Sequence, residues 1–100
     1  MSYQPGVYAG LSEQEIARRV ADAGFDPLRV ADPPGYIYPP HTHAETKLLA
    51  ILRGDMQVEV EGQRLHARAG DQLIIPGNWV HTAVMGPAGC VYFWSERIMP

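Results

Sequence analysis

The segment His41-Thr42-His43-Ala44-Glu45-Thr46-Lys47 places ionisable side chains at every second residue, immediately ahead of the apolar run Leu48 to Leu52. Residues two apart in an extended chain point to the same side, so His41, His43, Glu45 and Lys47 are expected to share one face. A third histidine, His81, follows a second apolar run and a Pro76-Gly77 turn able to redirect the backbone. Two neighbouring imidazoles and one distant one form a facial set suited to a divalent transition metal, which takes neutral ring nitrogens held on a rigid scaffold. The pattern does not distinguish Fe, Zn, Ni, Mn and Cu. Imidazoles bring no charge, so a bound ion would keep its full +2 and stay strongly Lewis acidic.

Glu45 has two readings, as a further ligand or as the partner of Lys47. An ammonium aimed at a metal is repelled, so Lys47 must turn aside, pair with an acid, or lose its proton through burial. Both residues are therefore candidates for a catalytic role. Tyr36, Tyr38, Trp79, Tyr92 and Trp94 are candidates for the wall of a pocket above the metal, and such a wall favours an apolar or planar ligand. His66, flanked at the same parity by Arg64 and Arg68, reads as a solvated surface residue, and Cys90 as a small buried hydrophobe.

The elements that must position these groups are short. Leu11-Ser12-Glu13-Gln14-Glu15-Ile16 has the form of a helix start, with Ser12 and Glu15 as a capping box and Leu11 stapled to Ile16. Ile16, Val20 and Ala23 continue an apolar stripe at helical spacing, and Gly24 ends it. Met1 to Gly10 reads as an irregular arm. From Leu28 onward, short β-type runs alternate with Gly and Pro: Leu28 to Val30, Tyr36 to Tyr38, Lys47 to Arg53, Met56 to Val60, Gln63 to Ala67, Gln72 to Ile75, Val80 to Met85 and Cys90 to Trp94. Turns are expected at Gly54-Asp55, Glu61-Gly62, Arg68 to Asp71 and Gly86 to Gly89. This spacing predicts an all-β sandwich or barrel with one N-terminal helix, divided as an arm and helix over 1–27 and a β unit over 28–100. The Lys47–Arg53 run is apolar on both faces, which calls for a second layer from the helix or from a partner subunit.

Two spaced motifs carry a family resemblance. Gly35, His41, His43 and Gly54 keep the spacing of the first cupin motif, with Lys47 where that motif has glutamate. Gly70, Pro76 and His81 keep the spacing of the second, with Asn78 at its Pro-x-Gly glycine and Met85 at its asparagine. From about Gly35 to Trp94 the chain thus resembles a small single-domain cupin. The resemblance implies a double-stranded β-helix (jelly-roll) barrel, a metal on His41, His43 and His81, and a small-molecule ligand inside. Without an acidic ligand the set is similar to the three-histidine cupins, which include thiol and diketone dioxygenases using non-haem iron, so an oxygenase-like or isomerase-like activity is one expectation. The other is a non-enzymatic binding or sensing domain, metal-free, with a small anion beside Lys47.

Composition bounds the rest. The chain has 100 residues, 46% hydrophobic and 19% charged, with a net charge of −3 and one cysteine. That suits one soluble domain in a reducing compartment, with the cytoplasm as the expected location. Eight scattered Lys and Arg residues form no basic stripe, so nucleic acid is not an expected partner, and no apolar run reaches membrane-spanning length. A homodimer is expected, because a small β-domain with open sheet edges has surface to cover.

Overall fold

The structure is a computed structural model that describes residues 1–97. The last three positions of the 28–100 unit lie outside the described residues. In chain order the elements are β1 (Ser2–Gln4), α1 (Glu13–Asp22), β2 (Phe25–Asp32), β3 (Ile37–His41), β4 (Lys47–Val60), β5 (Gln63–Arg68), β6 (Gln72–Ile75) and β7 (His81–Arg97). All pairings are antiparallel.

Two strands organise the rest. β4 and β7 pair with each other from Lys47↔Glu96 to Val60↔His81, and each changes its other neighbour midway. The first half of β4 pairs β6 and its second half pairs β5, while β7 pairs β3 with its first half and β2 with its second. The ladder therefore belongs to two sheets, β1-β6-β4-β7-β2 and β5-β4-β7-β3, that roll into a barrel. The turns expected at Gly54-Asp55 and Gly86 to Gly89 are instead register irregularities within these long strands. Extra residues at the same level of both strands bend the ladder without ending it. Gly54 has φ +73° and lies against the Gly89 carbonyl, 2.1 Å from where a Cβ would sit. Glu61 and Gly62, at φ 47° and 84°, do make the expected tight hairpin between β4 and β5.

Side-chain parity divides the core into two layers. Leu49, Ile51, Met56, Val58, Leu73, Ile75 and Met85 fill the barrel. Leu48 and Ala50, on the opposite face of β4, pack with Ile16 and Val20 of α1 and with Phe25, Tyr8 and Phe93. The helix thus supplies the second layer that the doubly apolar strand requires. Its capping box is formed, Ser12 Oγ accepting from the Glu15 amide at 3.1 Å and Glu15 Oε1 from the Ser12 amide at 3.2 Å. Leu11 packs against the same cluster as Ile16.

Two local expectations need correction. The N-terminal ten residues are not wholly irregular, because Ser2–Gln4 adds β1 to the edge of β6. Buried Asp71 ties this arm down, accepting from the Tyr3 hydroxyl at 2.7 Å and from the Gly6 and Arg68 amides at 2.8 Å. Burial alone would raise its pKa, but these hydrogen bonds outweigh it and hold the carboxyl below its usual range. The strand around Leu28 to Val30 is also longer than Pro27 suggested. β2 is an edge strand, where a residue without an N–H is tolerated.

Gly54→Ala is expected to destabilise the fold by about 1–3 kcal/mol more than Gly62→Ala. Both positions have positive φ, but only at Gly54 does a neighbouring carbonyl occupy the space of a methyl group. Urea unfolding of the two variants checks this, and equal losses would show that the approach to Gly89 imposes no constraint.

Candidate functional site

His41 ends β3, His43 follows in the connecting loop, and His81 opens β7 directly opposite His41. The loop is held by the Pro76-Gly77-Asn78 turn. The Asn78 amide donates to the His43 carbonyl at 2.6 Å, and the Gly77 amide to Thr46 Oγ1 at 3.3 Å. A Cβ on Gly77 would lie 2.2 Å from the Ala44 carbonyl oxygen, so glycine is needed there by contact. Asn78 occupies the motif-glycine position at φ 67°, in the left-handed region that asparagine tolerates better than most residues.

The three imidazoles converge. Ring centroids are 4.2 Å apart for His41 and His81, 4.8 Å for His41 and His43, and 5.3 Å for His43 and His81. One ring nitrogen from each lies within 4.8 Å of the others, a set able to hold a metal ion. His41 Nδ1 donates to the Pro39 carbonyl at 2.6 Å and His81 Nδ1 to the Trp79 carbonyl at 3.1 Å. That tautomer leaves a lone pair on each Nε2, as a metal ligand requires. Nε2 of His43 and Nε2 of His81 are buried without any hydrogen-bond partner. Burial, reinforced by the neighbouring His41 and Lys47, lowers the pKa of His43 and of His81 and so favours the uncharged ring. Buried, unpaired nitrogens on two rings of a cluster this close fit a divalent ion better than they fit a closed apolar core.

Lys47 and Glu45 are placed differently from the expected common face. The chain bends at Ala44-Glu45 before β4 begins, and the period-two alternation stops there. Glu45 is exposed, with its carboxylate 3.9 Å from Lys47 Nζ. Lys47 is buried, forms an ion pair with Glu96, and lies 5.1 Å from the centre of the Trp94 ring. Of the three courses open to Lys47, the structure shows pairing with acids. The hydrogen bond and charge of Lys47 in turn hold the Glu96 carboxyl below its usual range. Glu96 was not singled out in the sequence, because only the Lys47↔Glu96 register brings it here.

A cavity of about 130 Å³ opens inside the barrel beside His41 and His81, walled by Tyr38, Tyr92 and Trp94 together with aliphatic side chains. The Tyr38 and Tyr92 hydroxyls both donate to Asp32 Oδ2, at 2.9 and 2.8 Å. Burial raises the pKa of each tyrosine. Tyr36 and Trp79 do not line this cavity and are 45% and 37% exposed; Trp79 contributes its carbonyl to His81. Asp32 is the residue that sequence reasoning missed, since nothing in its spacing marks it as the acceptor for two distant tyrosines. His66 is partly buried and pairs through Nε2 with Asp55, away from the histidine cluster, which corrects the solvated reading. Cys90 is buried as expected, and burial pushes its thiol up to about 12.

Comparison with known proteins agrees with this architecture. Residues 28–95 match the family described as the cupin domain. No curated protein sequence matches the chain. Among solved structures, a protein from Neisseria meningitidis is similar at 29% identity, with 74% of each chain covered and a TM-score of 0.64. KdgF from Halomonas sp. is similar at 24% identity over 74% of this chain and 69% of that one, with a TM-score of 0.64. An RmlC-like cupin from Shewanella frigidimarina is 21% identical over 76% of this chain and 68% of that one, with a TM-score of 0.68. The likeness to the last two is one of fold.

Lys47→Met is expected to leave thermal stability unchanged or raised, whereas Glu96→Gln lowers it by leaving a buried ammonium short of a partner. The depressed Glu96 pKa means that its contribution is complete above the ordinary value of 4.5 and lost as pH falls through the lower folded value. Melting curves between neutral and acid pH check both points. An acid-side loss in Lys47→Met equal to that of the wild type would refute the assignment.

Proposed function

The chain belongs to the cupin family, and on that premise we propose that it holds one divalent transition metal on His41, His43 and His81 and takes a small molecule into the adjoining cavity. The observation that carries this reading is the pair of buried Nε2 atoms, on His43 and His81 of the cluster, that have no hydrogen-bond partner. The Pro39 and Trp79 carbonyls fix the tautomers of His41 and His81 with Nε2 free. A three-imidazole set suits Fe, Zn, Ni, Mn or Cu and leaves coordination positions open. When bound, the ion would supply Lewis acidity at those positions, as oxygenase-like or isomerase-like chemistry needs. Glu45 is assigned to Lys47, and the two acids beside Lys47 keep its charge from adding to that of the ion. The same pairing weighs against a metal-free anion site at Lys47.

The reading extends to assembly. Ile37 and Val84 are cross-strand partners on the outer face of the β5-β4-β7-β3 sheet and remain 64% and 39% exposed. A homodimer covering this face is the proposed state, and a monomeric mass by light scattering at micromolar concentration would overturn it.

Untagged protein purified without chelator is expected to carry stoichiometric metal by elemental analysis, and the His41→Ala/His81→Ala double variant, checked for folding by circular dichroism, is expected to carry almost none. Absence of metal in the wild type together with failed reconstitution would sink the proposal.

A further inference from the structure

Resting on the metal reading above, we infer that the ligand of this site is a compact hydrocarbon-bodied molecule with a single metal-donor group, and not a polyhydroxylated or zwitterionic compound. The cavity is walled by Val30, Leu49, Met56, Val58, Ile75 and Ala83, none of which offers a side-chain hydrogen bond. All but Val30 are buried at 9% exposure or less. The polar side chains on this wall are few: His41 and His81, Tyr38 and Tyr92, and Trp94. The Tyr38 and Tyr92 hydroxyls have one proton apiece, and both donate to Asp32 Oδ2. Each hydroxyl oxygen can still accept a hydrogen bond, but neither has a proton left to donate to a ligand. Lys47, over the ring of the wall residue Trp94, is engaged by Glu96 and Glu45.

A ligand with several hydroxyls or a second carboxylate in this chamber would therefore lose more hydrogen bonds to water than an aliphatic wall and two tyrosine oxygens can replace. A hydrocarbon body there gains about fourfold in affinity per buried methylene. Size sets the upper limit. An apolar protein cavity of about 150 Å³ accepts a benzene molecule, so about 130 Å³ takes a body of roughly one ring or a short branched chain. The head group is placed at His41, His43 and His81, whose ligand nitrogens lie within 4.8 Å of one another and where Nε2 of His43 and of His81 lack partners.

The test uses cobalt(II)-loaded full-length protein and a series of carboxylates with the same head: acetate, butanoate, pentanoate, hexanoate and gluconate, read by the cobalt electronic spectrum. The expected result is tightening of Kd by about tenfold or more from acetate to pentanoate, with gluconate far weaker than hexanoate at equal carbon number. Ala83→Leu is expected to flatten the chain-length series by filling the chamber. Met56→Ala, which enlarges the chamber, is expected to move the optimum to a longer chain and locates the effect if Ala83→Leu does not fold. A cobalt spectrum whose response is independent of chain length, or gluconate binding as well as hexanoate, overturns the ligand class while leaving the metal reading in place. A chain-length series unchanged in a folded Ala83→Leu variant overturns the chamber as its location. Failure to bind cobalt at all overturns the metal reading and this ligand class with it.

Discussion

The pairing of β4 with β7 is the constraint on which the rest depends. Fourteen residues in a straight strand would extend roughly 45 Å, with Lys47↔Glu96 at one end of the ladder and Val60↔His81 at the other. Yet Trp94, near the first end, lies with its ring 6.4 Å from that of His81 and 5.1 Å from Lys47 Nζ. The ladder has curled until its ends meet. It can do so because both strands carry irregularities at the same level, where Gly54 and Gly89 let backbone approach backbone without a Cβ between them. The histidine cluster is assembled at this meeting of ends, with β3 and its loop bringing His41 and His43 to it.

The electrostatics of the site follow a consistent direction. Charged groups near the cavity are paired toward its outside, Lys47 with Glu96 and Glu45, and Asp32 with the two tyrosine hydroxyls. What faces inward is apolar surface and a cluster of imidazoles. Low polarity around the cluster strengthens any interaction made there, and it also raises the cost of leaving a polar atom unpaired. Among the described residues, Nε2 of His43 and of His81 are two of the three buried side-chain atoms without a partner, the third being Ser95 Oγ.

The N-terminal segment acts through packing. α1 covers the outer face of β4 with Ile16 and Val20, while Asp71 anchors the arm through Tyr3 and Gly6. With both faces of β4 covered, Leu49 and Ile51 are held inward in fixed positions. Leu49 is among the residues that wall the cavity, so the helix supports the shape of the site from behind without touching a ligand.

Much of this was legible in one dimension. The capping box at Ser12 and Glu15, the doubly apolar strand, the tight hairpin at Glu61-Gly62 and the convergence of His41, His43 and His81 all rest on neighbours in sequence or on two motifs whose spacing the barrel requires. The chain cannot reveal from spacing which turn signals end a strand and which only bend it. Gly54-Asp55 and Gly86 to Gly89 look like turns locally, and only their opposition across one ladder makes them bulges. The same holds for charge. Alternation placed Glu45 on the histidine face until a bend at Ala44-Glu45 turned it outward, and Lys47 met Glu96, 49 residues away, through register alone. Local spacing determined which residues are able to reach a metal, whereas the curling of β4 and β7 decided which charges were drawn away from it, because pairings between distant strands are set by the packing of the whole barrel.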